Sequence, residues 1–163
     1  MNFADKTLSV PTPFRLEREQ WIDEPIDKVF AFFADPANLQ EITPPWMSFR
    51  ITSCSTPEIE EGTILEYALK VRGMPMKWIS RISVWEPPFR FVDEQLHGPY
   101  RRWYHEHTFE DVGGRTRIGD NVDYAVPGGR LVERLFVRRD LKQIFQYRFD
   151  SLERQFAQSK LAL

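Results

Sequence analysis

The chain has 163 residues, with 22 basic against 24 acidic side chains for a net charge of −2, and a single cysteine, Cys54. That length fits one domain with one sizeable core; the charge balance is a poor footprint for gripping nucleic acid, and a lone cysteine excludes a fold stapled by internal disulfides. With 13 Phe, 5 Trp and 5 Tyr making up 14% of the chain, disorder is excluded too, because disordered chains lack the aromatic surface that offsets ordering entropy.

In chain order, residues 1–12 carry few anchors and read as a flexible lead-in to a single domain over 13–163. Met1 to Pro13 shows no basic region followed by an apolar run, and no window approaches the roughly 18 to 20 apolar residues of a spanning helix. A cytoplasmic protein is the expectation. Phe14–Ile22 reads as a strand, with Phe14, Leu16 and Ile22 on one parity. A helix start follows, in which Asp23 or Glu24 caps, Pro25 takes the first helical position, and Ile26, Val29, Phe30 and Phe33 form the apolar stripe. Asp35-Pro36 repeats that signal for a second short helix carrying Leu39 and Ile42, which Pro44-Pro45 stops.

The period then changes from about 3.6 to 2. Phe49–Ser53 is a short strand; Thr63–Val71 sets Leu65, Tyr67, Leu69 and Val71 on one face; Met76–Trp85 sets Met76, Trp78, Ser80, Ile82 and Val84 together. Phe89–Leu96, Arg101–Asp111 and Arg115–Val126 complete a mostly antiparallel meander. After Pro127-Gly128-Gly129 the helical period returns at Arg130, and Leu141, Phe145, Phe149, Leu152 and Phe156 mark one stripe of a long C-terminal helix. The fold class is α+β: a curved antiparallel sheet of about seven strands around that helix, with two short helices after the first strand. Such an interior is either filled with side chains or encloses a cavity.

One hairpin can be registered from sequence. Gly113-Gly114 between two alternating runs is a two-residue turn signal, which pairs Phe109 with Ile118, His107 with Asp120, His105 with Val122 and Trp103 with Tyr124. His105, His107 and Asp120 then stand as polar groups on an otherwise aromatic inner wall. On the preceding strand Phe89, Phe91, Asp93, Gln95 and His97 share one parity, taken as inward for its two phenylalanines. Bringing Asp93 and Gln95 toward Trp103 and His105 requires a bulge or a turn longer than Gly98-Pro99.

These elements, the runs Trp21–Trp46 and Phe91–Glu110, and within the latter Gly98-Pro99-Tyr100 and Trp103-x-His105-x-His107, resemble the START-like, or SRPBCC, superfamily of polyketide cyclase-like, birch-pollen-allergen-like and coenzyme Q-binding proteins, and in particular its bacterial ligand-binding subgroup. The resemblance covers roughly Phe14 to Phe156. It implies a helix-grip fold with a deep apolar cavity between sheet and C-terminal helix. It does not imply one activity, because such a fold hosts carriers, sensors and enzymes.

The residues then divide by chemistry. Two His at i and i+2 on one strand face lie about 6.6 to 6.8 Å apart, so His105 and His107 with a facing Asp120 could share an ion. The same residue types form a buried hydrogen-bonded pair, which is the favoured reading, and no metal or cofactor is expected. As a catalytic set, His107, Asp120 and His105 are the candidates for acid–base work, although nothing identifies a nucleophile. As a binding set, Asp93, Gln95, His105, His107 and Asp120 would orient the polar end of an apolar molecule, with Tyr67, Met76, Trp78, Phe91, Trp103, Tyr124, Phe145 and Phe149 as lining.

The functional expectation is binding or carriage of a hydrophobic small molecule of lipid, isoprenoid or polyketide kind. A cofactor-free cyclase, dehydratase or hydrolase acting on such a molecule is the alternative, and a regulatory protein-interaction module a weaker one. No nucleic-acid partner is expected. Arg130, Arg134, Arg138, Arg139 and Lys142, beside Leu131, Leu135 and Phe136, could touch an anionic membrane surface during ligand exchange. Ligand identity and oligomeric state stay open.

Overall fold

The computed structural model describes residues 13–161, so the lead-in expected over 1–12 lies outside the described residues. Strand β1 (Phe14–Ile22) is followed by helices α1 (Ile26–Ala34) and α2 (Pro36–Glu41), and then by strands β2 (Arg50–Cys54), β3 (Ile64–Val71), β4 (Met74–Glu86), β5 (Arg90–His97), β6 (Arg102–Val112) and β7 (Arg115–Ala125). Helix α3 (Gly129–Val132) passes through a π-helical turn, Glu133–Val137, into the long helix α4 (Arg138–Leu161). All seven strands form one curved antiparallel sheet in the order β1-β7-β6-β5-β4-β3-β2, a helix-grip arrangement in the α+β class. Each strand boundary falls within two residues of its sequence reading.

Local chemistry explains the elements. Gly113 and Gly114 both adopt positive φ, as a two-residue hairpin requires, and the register is the expected one: Phe109↔Ile118, His107↔Asp120, His105↔Val122 and Trp103↔Tyr124. Register shifts between Ile79 and Ser80 and between Ile82 and Val84 bend the β4–β5 pair. Asp35 caps α2, its carboxylate accepting the Ala37 backbone N–H at 2.9 Å. No helix of the described residues is long and apolar enough to cross a membrane.

Three local readings are corrected. Neither Asp23 nor Glu24 caps α1: Pro25, with ψ of 149°, occupies the capping position itself, and no side chain caps the helix. Phe89 does not face inward but is 60% exposed, because it sits in the turn before β5 rather than on the sheet. His97, at the other end of β5, is also exposed.

The rings sort into two groups. Around α1, Phe30, Phe33 and Phe109 close on one another, with Phe33 and Phe109 centroids 5.0 Å apart at 70° and Phe30 and Phe109 5.3 Å apart at 77°. Such edge-to-face pairs contribute about 0.5–1.5 kcal/mol beyond the area they bury. This core also takes Leu152 and Phe156 from α4. A second cluster, Val122, Tyr124, Val126, Leu141 and Phe145, lies toward the start of α4. His105 and His107 stand between Trp103 and Phe109 along β6, where one cluster gives way to the other.

Candidate functional site: an aromatic cavity ending at a buried imidazole–carboxylate cluster

Between the sheet and α4 the packing does not close. A cavity of about 520 Å³ opens there, and a smaller one of about 60 Å³ lies behind it, under α1 and α2. Leu39, Tyr67, Asp93 and Arg148 border both. On the sheet side of the larger cavity Trp78, Tyr100 and Trp103 pack together, Trp78 and Trp103 edge to face with centroids 5.3 Å apart at 89° and Tyr100 and Trp103 tilted at 4.8 Å. Exposed Trp46, Lys70 and Pro127 mark its mouth. There Arg72 from the β3–β4 turn donates two hydrogen bonds to Asp140 of α4, at 2.8 and 3.0 Å.

Tyr100 is held by a bracket. The Gln95 side-chain amide donates to the Tyr100 carbonyl at 2.7 Å and accepts the Tyr100 N–H at 3.3 Å. This closes the longer β5–β6 turn that the sequence demanded, and it needs Gly98: a Cβ there would come within 2.5 Å of the Gln95 amide oxygen.

The polar cluster follows from strand register. Asp93 of β5 lies opposite His105 of β6, and Asp120 of β7 opposite His107, so two carboxylates sandwich two imidazoles. His105 Nε2 donates to Asp120 Oδ1 at 2.9 Å, and His107 Nδ1 lies 2.9 Å from that same oxygen. On the other side, Asp93 Oδ2 is 3.5 Å from His105 Nδ1 and 3.8 Å from His107 Nε2. The Ser80 hydroxyl donates to Asp93 Oδ1 at 3.4 Å and accepts the Trp78 indole N–H at 3.0 Å.

Burial and charge act in opposite directions here. Desolvation disfavours the cationic form of His105, and the neighbouring His107 adds to this, pulling it down to about 4. His107 suffers the same desolvation, but the Asp120 and Asp93 carboxylates beside it outweigh it and raise its value above 6.5. Burial by itself raises both carboxyls; the imidazoles reverse this and hold Asp93 low and Asp120 well below the ordinary range. Two imidazoles shifted in opposite directions therefore lie side by side between two carboxylates. Asp93, His105 and His107 have ligand-type atoms within 4.8 Å of one another and are the set that could hold a cation, with Asp120 behind rather than among them.

Of the sequence-derived candidates, Tyr67, Trp78, Asp93, Trp103, His105 and Phe145 line the larger cavity, and Phe91 and His107 the smaller. The others lie off both walls. Met76 packs against the apolar core, and Gln95 brackets its turn. Asp120 sits behind the imidazoles, and the Tyr124 hydroxyl donates to Glu133 at 2.9 Å. Phe149 is half-buried, with its carbonyl accepting from the Gln20 amide. Among the wall residues not read as lining, Tyr100 and Arg148 bear most on the site. Arg148 had a signal: positions 141, 145, 148 and 152 follow the 4-3-4 spacing of one helix face.

The basic stretch also has its partners. Glu133, 1% exposed, accepts two hydrogen bonds from Arg138 at 2.9 Å each, while Arg130, Arg134, Arg139 and Lys142 are exposed beside Leu131, Leu135 and Phe136.

Comparison with solved structures places the same architecture in other proteins. The aromatase/cyclase Zhui from Streptomyces sp. R1128 is 16% identical, with a TM-score of 0.70 over 89% of this chain and 94% of that one. Ara h 8.0201 is 18% identical, with a TM-score of 0.65 over 90% and 99%. Protein Ms6760 from Mycobacterium smegmatis is 14% identical, with a TM-score of 0.64 over 89% and 92%. At these identities the likeness is one of fold. No protein of curated function matches the chain in sequence. The sequence profile of one family, polyketide cyclase/dehydrase and lipid transport, matches residues 22–147, most of the chain and all seven strands but β1; the protein belongs to that family, within the START-like superfamily its sequence resembles.

Proposed function

We propose that the protein binds a hydrophobic small molecule, of lipid, isoprenoid or polyketide kind, in the cavity between sheet and α4. The observation that carries this reading is the contrast between the two ends of one interior. Phenylalanines reduce the end under α1 to a space of about 60 Å³, while Trp78, Tyr100 and Trp103 stand around a cavity of about 520 Å³ that reaches Asp93 and His105. A mostly apolar cavity with a few convergent polar groups is the form small-molecule sites take. Native mass spectrometry of protein purified from cell extract, followed by organic extraction, tests it. The expected result is a retained apolar compound and saturable uptake of a neutral fluorescent probe. Recovery of no compound together with no probe binding would remove the reading.

The oppositely shifted imidazoles favour a second reading, acid–base catalysis on such a molecule without a cofactor. Asp120→Asn and His107→Ala separate the two: a carrier loses affinity or stability, whereas an enzyme keeps binding while turnover collapses. We place the protein in the cytoplasm on either reading, with the exposed Arg130–Lys142 face as the contact to an anionic membrane during exchange.

A further inference from the structure

We infer that the molecule taken by this cavity is a carboxylic acid and that Arg148 receives its carboxylate; the inference rests on the binding reading above. Arg148 lies on α4 one turn after Phe145, and its guanidinium carbon sits 5.4 Å from the centroid of that ring, which is itself buried against the sheet. The side chain therefore folds inward, borders both cavities, and faces Asp93, whose acidity its charge increases. Yet among the described residues no hydrogen bond or ion pair holds its guanidinium. Its neighbours differ in this: Arg138 is tied to Glu133, Arg154 to Ser151, Arg18 to Gln146 and Arg72 to Asp140.

A guanidinium carries five N–H donors in a planar fork, and those of Arg148, on a half-buried side chain that borders both cavities, are left without an acceptor among the described residues and open to a bound molecule. Asp93 does not answer this need, since Ser80 and both imidazoles engage it. A bound molecule can, and two coplanar oxygens match the fork better than any single acceptor. The charge count favours a monoanion over a phosphate. Of the other cations on the wall, Lys70 is exposed at the mouth and Arg72 is bound to Asp140, so a dianion would meet one interior cation and the Asp93 carboxylate. The acid would lie with its carboxylate at the junction of the two cavities and its apolar body along Trp78 and Trp103 toward the mouth.

Displacement of a neutral probe, N-phenyl-1-naphthylamine, tests this with a series of saturated fatty acids from octanoate to hexadecanoate and one aromatic acid, each beside its methyl ester, at pH 7.5. The wild-type protein is expected to prefer at least one acid over its ester by about tenfold or more, the scale of a charge-assisted pair. Arg148→Gln should abolish that preference and Arg148→Lys should retain part of it, each read as the acid-to-ester affinity ratio within the same variant. Equal displacement by acid and ester in the wild type, or by no acid at all, overturns the inference while bound probe still supports the cavity. A preference that survives in Arg148→Gln overturns the role of Arg148. Failure of the probe itself to bind removes the underlying cavity reading instead. The wild-type comparison does not depend on either variant folding.

Discussion

The rings of His105 and His107 lie with centroids 3.8 Å apart, tilted by 37°, on the inner face of β6, and a nitrogen of each comes within 2.9 Å of the same Asp120 oxygen. Their proton affinities diverge: burial and the neighbouring His107 pull His105 down to about 4, whereas the Asp120 and Asp93 carboxylates raise His107 above its ordinary value.

Stability should therefore peak near pH 6.5. An unfolded His105 takes a proton near 6.5 and the folded one only near about 4, so stability is lost as pH falls across that interval. His107, raised in the folded state, contributes stability that is complete below 6.5 and is lost as pH climbs through its folded value. The lowered Asp93 and Asp120 add a further loss once pH drops below their ordinary value of 3.8. Urea midpoints measured from pH 3 to 9 check this, and NMR titration of the imidazole protons should show one buried ring titrating near 4. A midpoint flat from pH 4 to 9 would contradict the assignment.

Asp120→Asn removes the charge that both imidazoles face. We expect a loss of about 2–4 kcal/mol and a fall in the His107 pKa, read by denaturant titration and by NMR. A variant as stable as the parent, with His107 unchanged, would mean that Asp120 is not the organising carboxylate.

Glu133 is buried with its charge intact, held low despite burial by Arg138 and the Tyr124 hydroxyl. Glu133→Ala should cost about 2–3 kcal/mol, because the Tyr124 hydroxyl loses its acceptor while Arg138 remains open to water. Tyr124→Phe, which removes one donor and leaves Arg138 in place, should cost about 1–2 kcal/mol. Chemical denaturation of both variants ranks them, and the reverse order would refute the pairing.

Gly98→Ala places a Cβ where the Gln95 amide sits. The expected cost is about 1–3 kcal/mol, with weaker probe binding because Tyr100 loses its bracket. Gln95→Ala should reproduce the binding defect without the steric clash. Probe affinity unaltered in both variants would show that the bracket does not position Tyr100.

Much of this architecture was legible from spacing alone. Gly113-Gly114 fixed the β6–β7 register and with it the pairing of His107 and Asp120, because the side-chain period of a strand is two and a two-residue turn leaves no freedom. The partnership of Asp93 with His105 needed the longer turn that Gln95 closes, a side-chain device with no local pattern. Tyr124 and Phe149 were read as lining because apolar parity identifies a face but not how far along it the packing opens. Arg148 was missed for the converse reason: a charged residue interrupts the apolar stripe it belongs to, and Phe149 beside it took its place in the reading. Phe89 had the right parity and the wrong location, one residue outside the last pair of the β4–β5 ladder, Glu86 with Arg90.

The closed ring cluster of Phe30, Phe33 and Phe109 has a consequence for how such a chain can change. Cohesion between α1 and the sheet is supplied there, remote from Trp78, Tyr100 and Trp103, so replacements at the hollow end alter the size and polarity of the space before they threaten the fold. A few ring-to-aliphatic exchanges on β4 and β6 would redraw the chamber while the scaffold persists, which is a route by which one backbone comes to accommodate many different guests.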